Sequence, residues 1–338
     1  MVNDSKATAS IQRGITRRKA LAGTGGLVVG LAGCIGEDPQ DGDTGNGDTG
    51  SNDDTDGESE FTVFATMPAV WDFVRQVAGD HMDVIDLVPV GEHGHDWDPE
   101  PGTVQELDTA DGFVYLREFS SWQDDAAAEL ENDDDVVVIE ASEGIEFFDS
   151  PAEDDDEHWW MDPIECQTGV ENIAEGISEI DPDHADDYEA NASEFNEELE
   201  ELDEEFQDIV DRAELNEIVV GTHDSFQWWN RRYDIDIYSP VGTSPDDAAS
   251  PQDVQEIEEL IDEFGVEHVL YDVGEPATLA EDLAAETGAE VLPLSPVETQ
   301  IDGSPEIDPD VEMEEDWGYV DHFRELNLPS LETALKAE

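Results

Sequence analysis

In the stretch GTHDSFQWWNRRY, residues 221–233, His223, Asp224 and Ser225 stand side by side, and these are the three residue types of a serine hydrolase. Adjacency argues against that chemistry. Successive side chains point to opposite faces of a strand and fan apart on a helix, whereas a triad is a hydrogen-bonded chain of groups gathered by the fold from separate places. His223 therefore needs partners from elsewhere, and Asp224 and Ser225 read instead as capping residues that start a helix through FQWWNRRY. The chain holds eight histidines. His81, His184, His268 and His322 lie in or beside helices or strands among charged neighbours and read as surface or structural residues. The other four fall in loops: His93 and His95 in PVGEHGHDWDPEP, His158 at the head of HWWMDP, and His223 after EIVVGT. Three imidazoles meeting at one point would favour a borderline metal such as zinc, which takes nitrogen ligands at about 2.0–2.1 Å. Ligands spaced by more than about 60 residues match no compact metal motif, so the fold has to bring them together.

The elements that would do so alternate along the chain. Residues 61–66, 83–88, 112–116 and 135–140 read as strands separated by amphipathic segments such as AVWDFVRQVAG. The alternation returns with strands at 217–222, 267–272 and 289–294 and helices over PQDVQEIEELIDEFG and ATLAEDLAAETG. This pattern predicts an α/β fold of two lobes with mostly parallel sheets, over residues 61–180 and 215–338. Between them, Tyr188, Ala192, Phe195, Leu199, Leu202, Phe206, Ile209 and Ala213 recur at alternating spacings of four and three, which is one helical stripe. A bridging helix over 181–214, opened by Asp181-Pro182-Asp183, could brace both lobes; a coiled-coil dimer is the competing reading of that stripe. Ligands of parallel sheets bind outside the carboxyl ends of the strands, and there His95 and His223, from separate lobes, would converge in the cleft.

Charge narrows the partners. Against 12 basic residues stand 92 acidic ones, a formal net charge of −80 that repels nucleic acid and anionic lipid alike. No nucleic-acid partner is expected. Because the acidic excess runs along the whole chain, it fits a protein of a salt-saturated habitat, where a Debye length of about 3 Å screens the self-repulsion. The source reads as a halophile.

The N-terminus carries an address. TRRKALAGTGGLVVGLAGC joins the twin arginines Arg17 and Arg18 to an apolar run too short to span a bilayer and ends at Cys34. It resembles a twin-arginine export signal over residues 1–33 followed by a lipobox, with Cys34 as the lipid attachment point on the outer face of the cell membrane. Residues 34–60, rich in Gly, Asp, Thr and Ser, read as a disordered acidic tether. Cys166 is the only other cysteine, so it has no disulfide partner within a chain cut at Cys34 and reads as a buried thiol.

From residue 61 onward the chain resembles the solute-binding proteins of zinc and manganese ABC importers. GEHGHDWDP is similar to that family's first ligand stretch with His95 in register, HWWMDP to its second with His158, and THDSFQWWNRRY to its third with His223. WGYVDHFRELNLPSLETAL is similar to the family's final helix. The resemblance implies a metal held between two lobes by His95, His158 and His223 and delivered to a membrane permease driven by an ATPase, so a receptor and not an enzyme. The long helix would limit hinge motion. In many members an aspartate after the last strand completes the site; LPLSPVE puts Ser295 there, which makes Asp272 the first substitute as fourth ligand, with Glu275, Glu298, His93 or a water behind it. His223, where manganese importers often have a carboxylate, favours zinc over manganese as the bound substrate. The run EDDDE before His158 reads as a solvated face, with low-affinity cation collection as the alternative. Neutral imidazoles bind and protonated ones do not, so affinity should fall below about pH 6.5.

Two other classes remain open in the sequence. A surface zinc hydrolase would use the same three histidines plus water, with Asp224, Asp162 or Asp272 as general base. A siderophore or cobalamin receptor shares the braced architecture and would line its cleft with aromatics such as Trp97, Trp159, Trp160, Trp228 and Trp229.

Overall fold

The computed structural model describes residues 61–337 apart from 96, 108, 133–134, 152, 246–248, 306–310, 312 and 315 and the side chain of residue 105. The export signal, the tether and Cys34 lie outside the described residues.

The first lobe runs β1 (Thr62–Ala65), α1 (Pro68–Ala78), β2 (Asp83–Asp86), α2 (Pro101–Leu107), β3 (Gly112–Tyr115), α3 (Ser121–Leu130) and β4 (Val137–Glu140), with its four strands parallel in the order β2-β1-β3-β4. β1 and β3 are the inner strands, and their apolar runs TVFA and GFVY are covered by helices on both sides, as a parallel sheet requires. Two helices follow, α4 (Pro163–Ile180) and α5 (Ala185–Arg212). The second lobe comprises β5 (Glu217–Val220), α6 (Gln227–Tyr233), β6 (Asp236–Tyr238), α7 (Pro251–Phe264), β7 (His268–Asp272), α8 (Thr278–Thr287) and β8 (Glu290–Leu294), all parallel in the order β6-β5-β7-β8. A helical run closes the chain through Tyr319–Asp321, a π-type turn at His322–Asn327 and Leu328–Ala334.

Two elements escaped the sequence pattern. β6 is a three-residue edge strand in which only Ile237 is buried, too little for an alternation to register. α4 starts where HWWMDP ends: the Asp162 carboxylate accepts the N–H groups of Ile164 and Glu165, and Pro163 takes the first helical position, where its missing N–H costs nothing.

α5 spans 28 residues, or about 42 Å. Its start lies four residues past the expected boundary because Pro182–His184 form a 3₁₀ turn first. Tyr188, Ala192, Phe195, Leu199, Leu202, Phe206 and Ile209 are all buried against the same chain, on α1, α4 and the C-terminal run, so the stripe is an internal seam and not the coiled-coil dimer face that competed for it. One apolar core passes from Val63 and Phe73 through Trp159, Trp160 and the α5 stripe to Trp228, Trp229, Leu270 and Leu294. Both lobes share it, and α5 lies along it.

Candidate metal centre

Every candidate ligand sits at the carboxyl end of a strand or on the loop that leaves it. His93 and His95 follow β2, His158 follows β4, His223 follows β5, Asp272 ends β7 with Glu275 just beyond, and Glu298 follows β8. The structure brings His95, His158, His223 and Glu298 together, with one ligand atom from each inside a group in which no two are more than 4.8 Å apart. His95 Nε2 is 3.2 Å from His158 Nε2. Glu298 reaches all three rings and His93 as well: Oε2 lies 3.6 Å from the Nε2 atoms of His95 and His93, and Oε1 lies 3.7 Å from His158 Nε2 and 3.5 Å from His223 Nε2.

The far side of two of these rings is fixed by carboxylates. Asp156 accepts both the backbone N–H and Nδ1 of His158 at 3.0 Å, and is itself held by the Trp228 indole at 3.2 Å. Glu275 does the same for the backbone and Nδ1 of His223. An ionised carboxylate only accepts, so each Nδ1 carries a proton and each Nε2 faces the centre. His223 Nε2 and both oxygens of Glu298 are buried and lack a hydrogen-bond partner, a cost that a cation between them would remove.

Burial dominates the charge states. It pushes the His95 imidazole down to about 3. His158 and His223 feel the same penalty, but Glu157 and Asp156 bring His158 up to about 9, and Glu298 with Glu275 holds His223 well above its usual value. Burial would raise Glu298, yet the facing His95 and His223 hold its carboxyl below the ordinary range. The group is a buried anion facing two imidazoles that hold protons, His158 and His223, and one, His95, that does not. A divalent ion replaces those protons, so protons compete with it well above the pH 6.5 expected for free imidazole.

Asp272 lies elsewhere. Its Oδ2 accepts from His93 Nε2 at 3.1 Å, its Oδ1 accepts the Gly274 N–H at 2.8 Å, and it faces the Nδ1 edge of His223 at 3.9 Å, not the Nε2 edge. Ser295 is a clamp. Asn327 pairs with both its N–H and its C=O at 2.8 Å, while its hydroxyl accepts the Val297 N–H at 3.1 Å. Val297 then takes φ +60°, where a β-branched residue is strained, and this turn aims Glu298 inward. The signal available in the sequence was an acid a few residues past the last strand; the left-handed turn that carries it into the site has no sequence mark when the residue is valine.

Local packing seats the histidines. The backbone of Gly94, between His93 and His95, donates to Glu298 O at 3.0 Å and Gly91 donates to Gln300 O at 2.8 Å, which ties the β2 loop to the β8 loop. Gly221 lets the β5 loop pass so close to α8 that a Cβ there would lie 2.7 Å from Ala280 Cα. α6 starts at Gln227 with Phe226 at its N-cap, so neither Asp224 nor Ser225 caps it; Asp224 accepts from the Gln227 amide at 2.7 Å instead. Cys166 is buried, as expected, with Sγ near Trp160 O and Tyr319 Oη.

The competing chemistries lose their groups. Of the hydrolase bases, Asp162 caps α4, Asp224 holds Gln227 and Asp272 holds His93. Trp159, Trp160, Trp228 and Trp229 are fully buried, and the last three spend their indole N–H on Pro296 O, Asp156 and Met161 O, so they do not line a ligand cleft. Trp97 packs on Trp122. An open groove of about 770 Å³ runs between α4 and α5 and is lined by no imidazole. The site is ion-sized.

Two parallel α/β lobes with a shared core, a bracing helix and an ion-sized nest of three imidazoles and a carboxylate between the strand ends define a solute-binding protein for a metal ion. The sequence profile described as "Zinc-uptake complex component A periplasmic" matches residues 63–326, and the chain belongs to that family. It is 27% identical over 287 residues to the high-affinity zinc uptake system protein ZnuA of Bacillus subtilis, covering 81% of this chain and 87% of that one. To the zinc-binding protein AdcA of Streptococcus pyogenes it is 25% identical over 264 residues, 71% of this chain, and there it spans about half (51%) of the relative's length. The crystal structure of the metal-dependent lipoprotein YcdH of Bacillus subtilis superposes with a TM-score of 0.68 at 28% identity, over 82% of this chain and 99% of that one.

Proposed function

We propose that this chain is the extracytoplasmic zinc receptor of an ABC importer, binding the ion through Nε2 of His95, His158 and His223 and a carboxylate oxygen of Glu298, then passing it to a permease and its ATPase. The observation that carries the reading is the buried, unpartnered Glu298 carboxylate 3.5–3.7 Å from three converging Nε2 atoms. Three nitrogen donors and one oxygen suit tetrahedral zinc better than manganese, which prefers oxygen. Family membership and the zinc-naming relatives support the ion, and the lipoprotein relative supports anchoring at a membrane surface.

Release has to open a site whose lobes share a core. The Trp160, Trp228 and Trp229 indoles and the Gly94–Glu298 bond tie loops of different strands across the site, so movement of the β2 and β8 loops is a smaller step than wide hinge closure. Glu298 rides on the strained Val297 turn, which makes the β8 loop the element best suited to withdraw a ligand. Export by the twin-arginine route, lipidation at Cys34 and a halophilic habitat belong to the same proposal and rest on the sequence. Among the described residues no helix is long and apolar enough to cross a membrane.

Competitive titration of zinc against manganese at molar salt, on the wild type and on Glu298→Gln, tests the reading. Zinc should win in the wild type and bind much more weakly to the variant. Equal binding of zinc by both proteins would overturn the ligand set, and preference for manganese would overturn the ion.

A further inference from the structure

A second group of donors lies against the outer edge of His223. His93, Asp272 and Glu275 join the other nitrogen of that ring, again with one ligand atom each within 4.8 Å of one another. His93 Nε2 is 3.1 Å from Asp272 Oδ2, Asp272 Oδ2 is 3.9 Å from His223 Nδ1, and Glu275 Oε1 is bonded to that Nδ1. The side chains of His93, Asp272 and His223 are 6%, 1% and 0% exposed, and that of Glu275 is 14% exposed.

We propose that this group is a second divalent-cation site, sharing His223 with the first so that the ring holds one ion at each nitrogen. Two imidazole nitrogens and two carboxylate oxygens are a donor set for zinc or cobalt. Charge points the same way. Glu298, Asp272 and Glu275 are three carboxylates around one small buried region, and a single dication at the inner site leaves one of them without a counter-charge. A spare hydroxyl lies at the border: Thr299 Oγ1 is buried without a hydrogen-bond partner, and a Cβ added to Gly274 would meet that oxygen at 2.4 Å and His93 Cδ2 at 3.1 Å. Only a glycine lets the chain pass this close to the hydroxyl and the ring.

The protons balance as follows. Without an outer ion, His93 Nε2–H donates to Asp272 and His223 Nδ1–H donates to Glu275. An arriving aquo-ion loses water molecules to bind the four donors. The His223 Nδ1 proton goes to solvent when the inner site is filled, leaving an imidazolate bridge, or moves to Nε2 when it is not. The His93 proton moves to Nδ1, which gives up the weak 3.3 Å bond it accepts from the His95 N–H.

The second site depends on the proposed zinc reading only through His223, and one experiment separates the two. Metal-free full-length protein at molar salt is titrated with Co²⁺, read by its visible absorption, and then with Zn²⁺, on the wild type, His93→Ala, Asp272→Asn and His95→Ala, with circular dichroism to verify the fold. The wild type should take two equivalents per chain, a tight one and one at least tenfold weaker. His93→Ala and Asp272→Asn should each lose the weaker equivalent and keep the tight one within a few fold. His95→Ala should lose the tight one and keep the weaker. A wild type that takes a single equivalent, or a second equivalent that survives both His93→Ala and Asp272→Asn, overturns the second site. Failure of the inner site has a different signature: a tight equivalent that survives His95→Ala unchanged.

Discussion

His223 has one ring and two neighbourhoods. On its Nε2 side three imidazole nitrogens and the Glu298 carboxylate face one another with polar atoms left unpaired. On its Nδ1 side the donors are the same in kind, but each is already paired: His93 with Asp272, and His223 with Glu275. The contrast shows what distinguishes a tight ion site from a carboxylate-buttressed support. Unpaired lone pairs cost free energy until an ion arrives, so binding there removes a penalty, whereas an ion entering the outer group must first break hydrogen bonds. The inner site should therefore bind far more tightly than the outer one.

The largest expected effect comes from removing the shared ring. His223→Ala takes a ligand from each group, and zinc affinity measured by chelator competition should fall by more than the 10–100-fold typical of an outer partner, with no tight equivalent left. Next come the carboxylates behind the ligands. Asp156→Asn and Glu275→Gln should each weaken the tight equivalent by about 10–100-fold without abolishing it, because each loosens a ring of the inner site without removing an inner ligand. If Glu275→Gln abolished the tight equivalent altogether, Glu275 would be a ligand of the inner site and the contrast between the two sides would collapse.

Much of the site could be read from the sequence, and the reason lies in how its residues are carried. His95, His158 and His223 each sit in a short stretch with its own pattern, on the connection that follows a strand announced by its apolar run. The bracing helix was equally legible because its stripe has a strict period and is buried from Tyr188 to Ile209. The proposed fourth donor, Glu298, stood in the sequence only as one of several substitutes behind Asp272. Glu298 depends on a Val297 turn at positive φ and on the Asn327 clamp around Ser295, 32 residues along the chain, and no local pattern encodes either. Asp272 was the more obvious candidate from its place at a strand end, and its carboxylate does point towards His223, but at the opposite nitrogen. α4 and β6 were lost for simpler reasons: helical glycines and charged residues dilute the first, and the second buries one side chain.

Two smaller effects probe the framework that aims Glu298. Asn327→Ala leaves the buried N–H and C=O of Ser295 unpaired and should destabilise the fold by about 2–4 kcal/mol in chemical denaturation at high salt, with zinc affinity reduced as well. His322 gives the smallest signal. It is fully buried, its Nδ1 is 2.9 Å from Ser295 Oγ, and burial pushes its pKa from 6.5 down to about 4. A depressed histidine stays neutral in the folded chain while the unfolded chain takes up a proton, so stability falls as pH drops from 6.5 towards 4 and levels off below. The full loss amounts to about 3 kcal/mol. Denaturation midpoints of the wild type and His322→Leu between pH 7 and 4 should diverge, with the flatter profile belonging to the variant.

The central claim is that Glu298, and not Asp272, completes the inner site. Zinc affinity of Glu298→Gln and Asp272→Asn, measured side by side by chelator competition at molar salt, tests it most directly. The account predicts a loss of well over tenfold in the tight equivalent for Glu298→Gln and a change of no more than a few fold for Asp272→Asn. The reverse order, or equal losses in both, would contradict it.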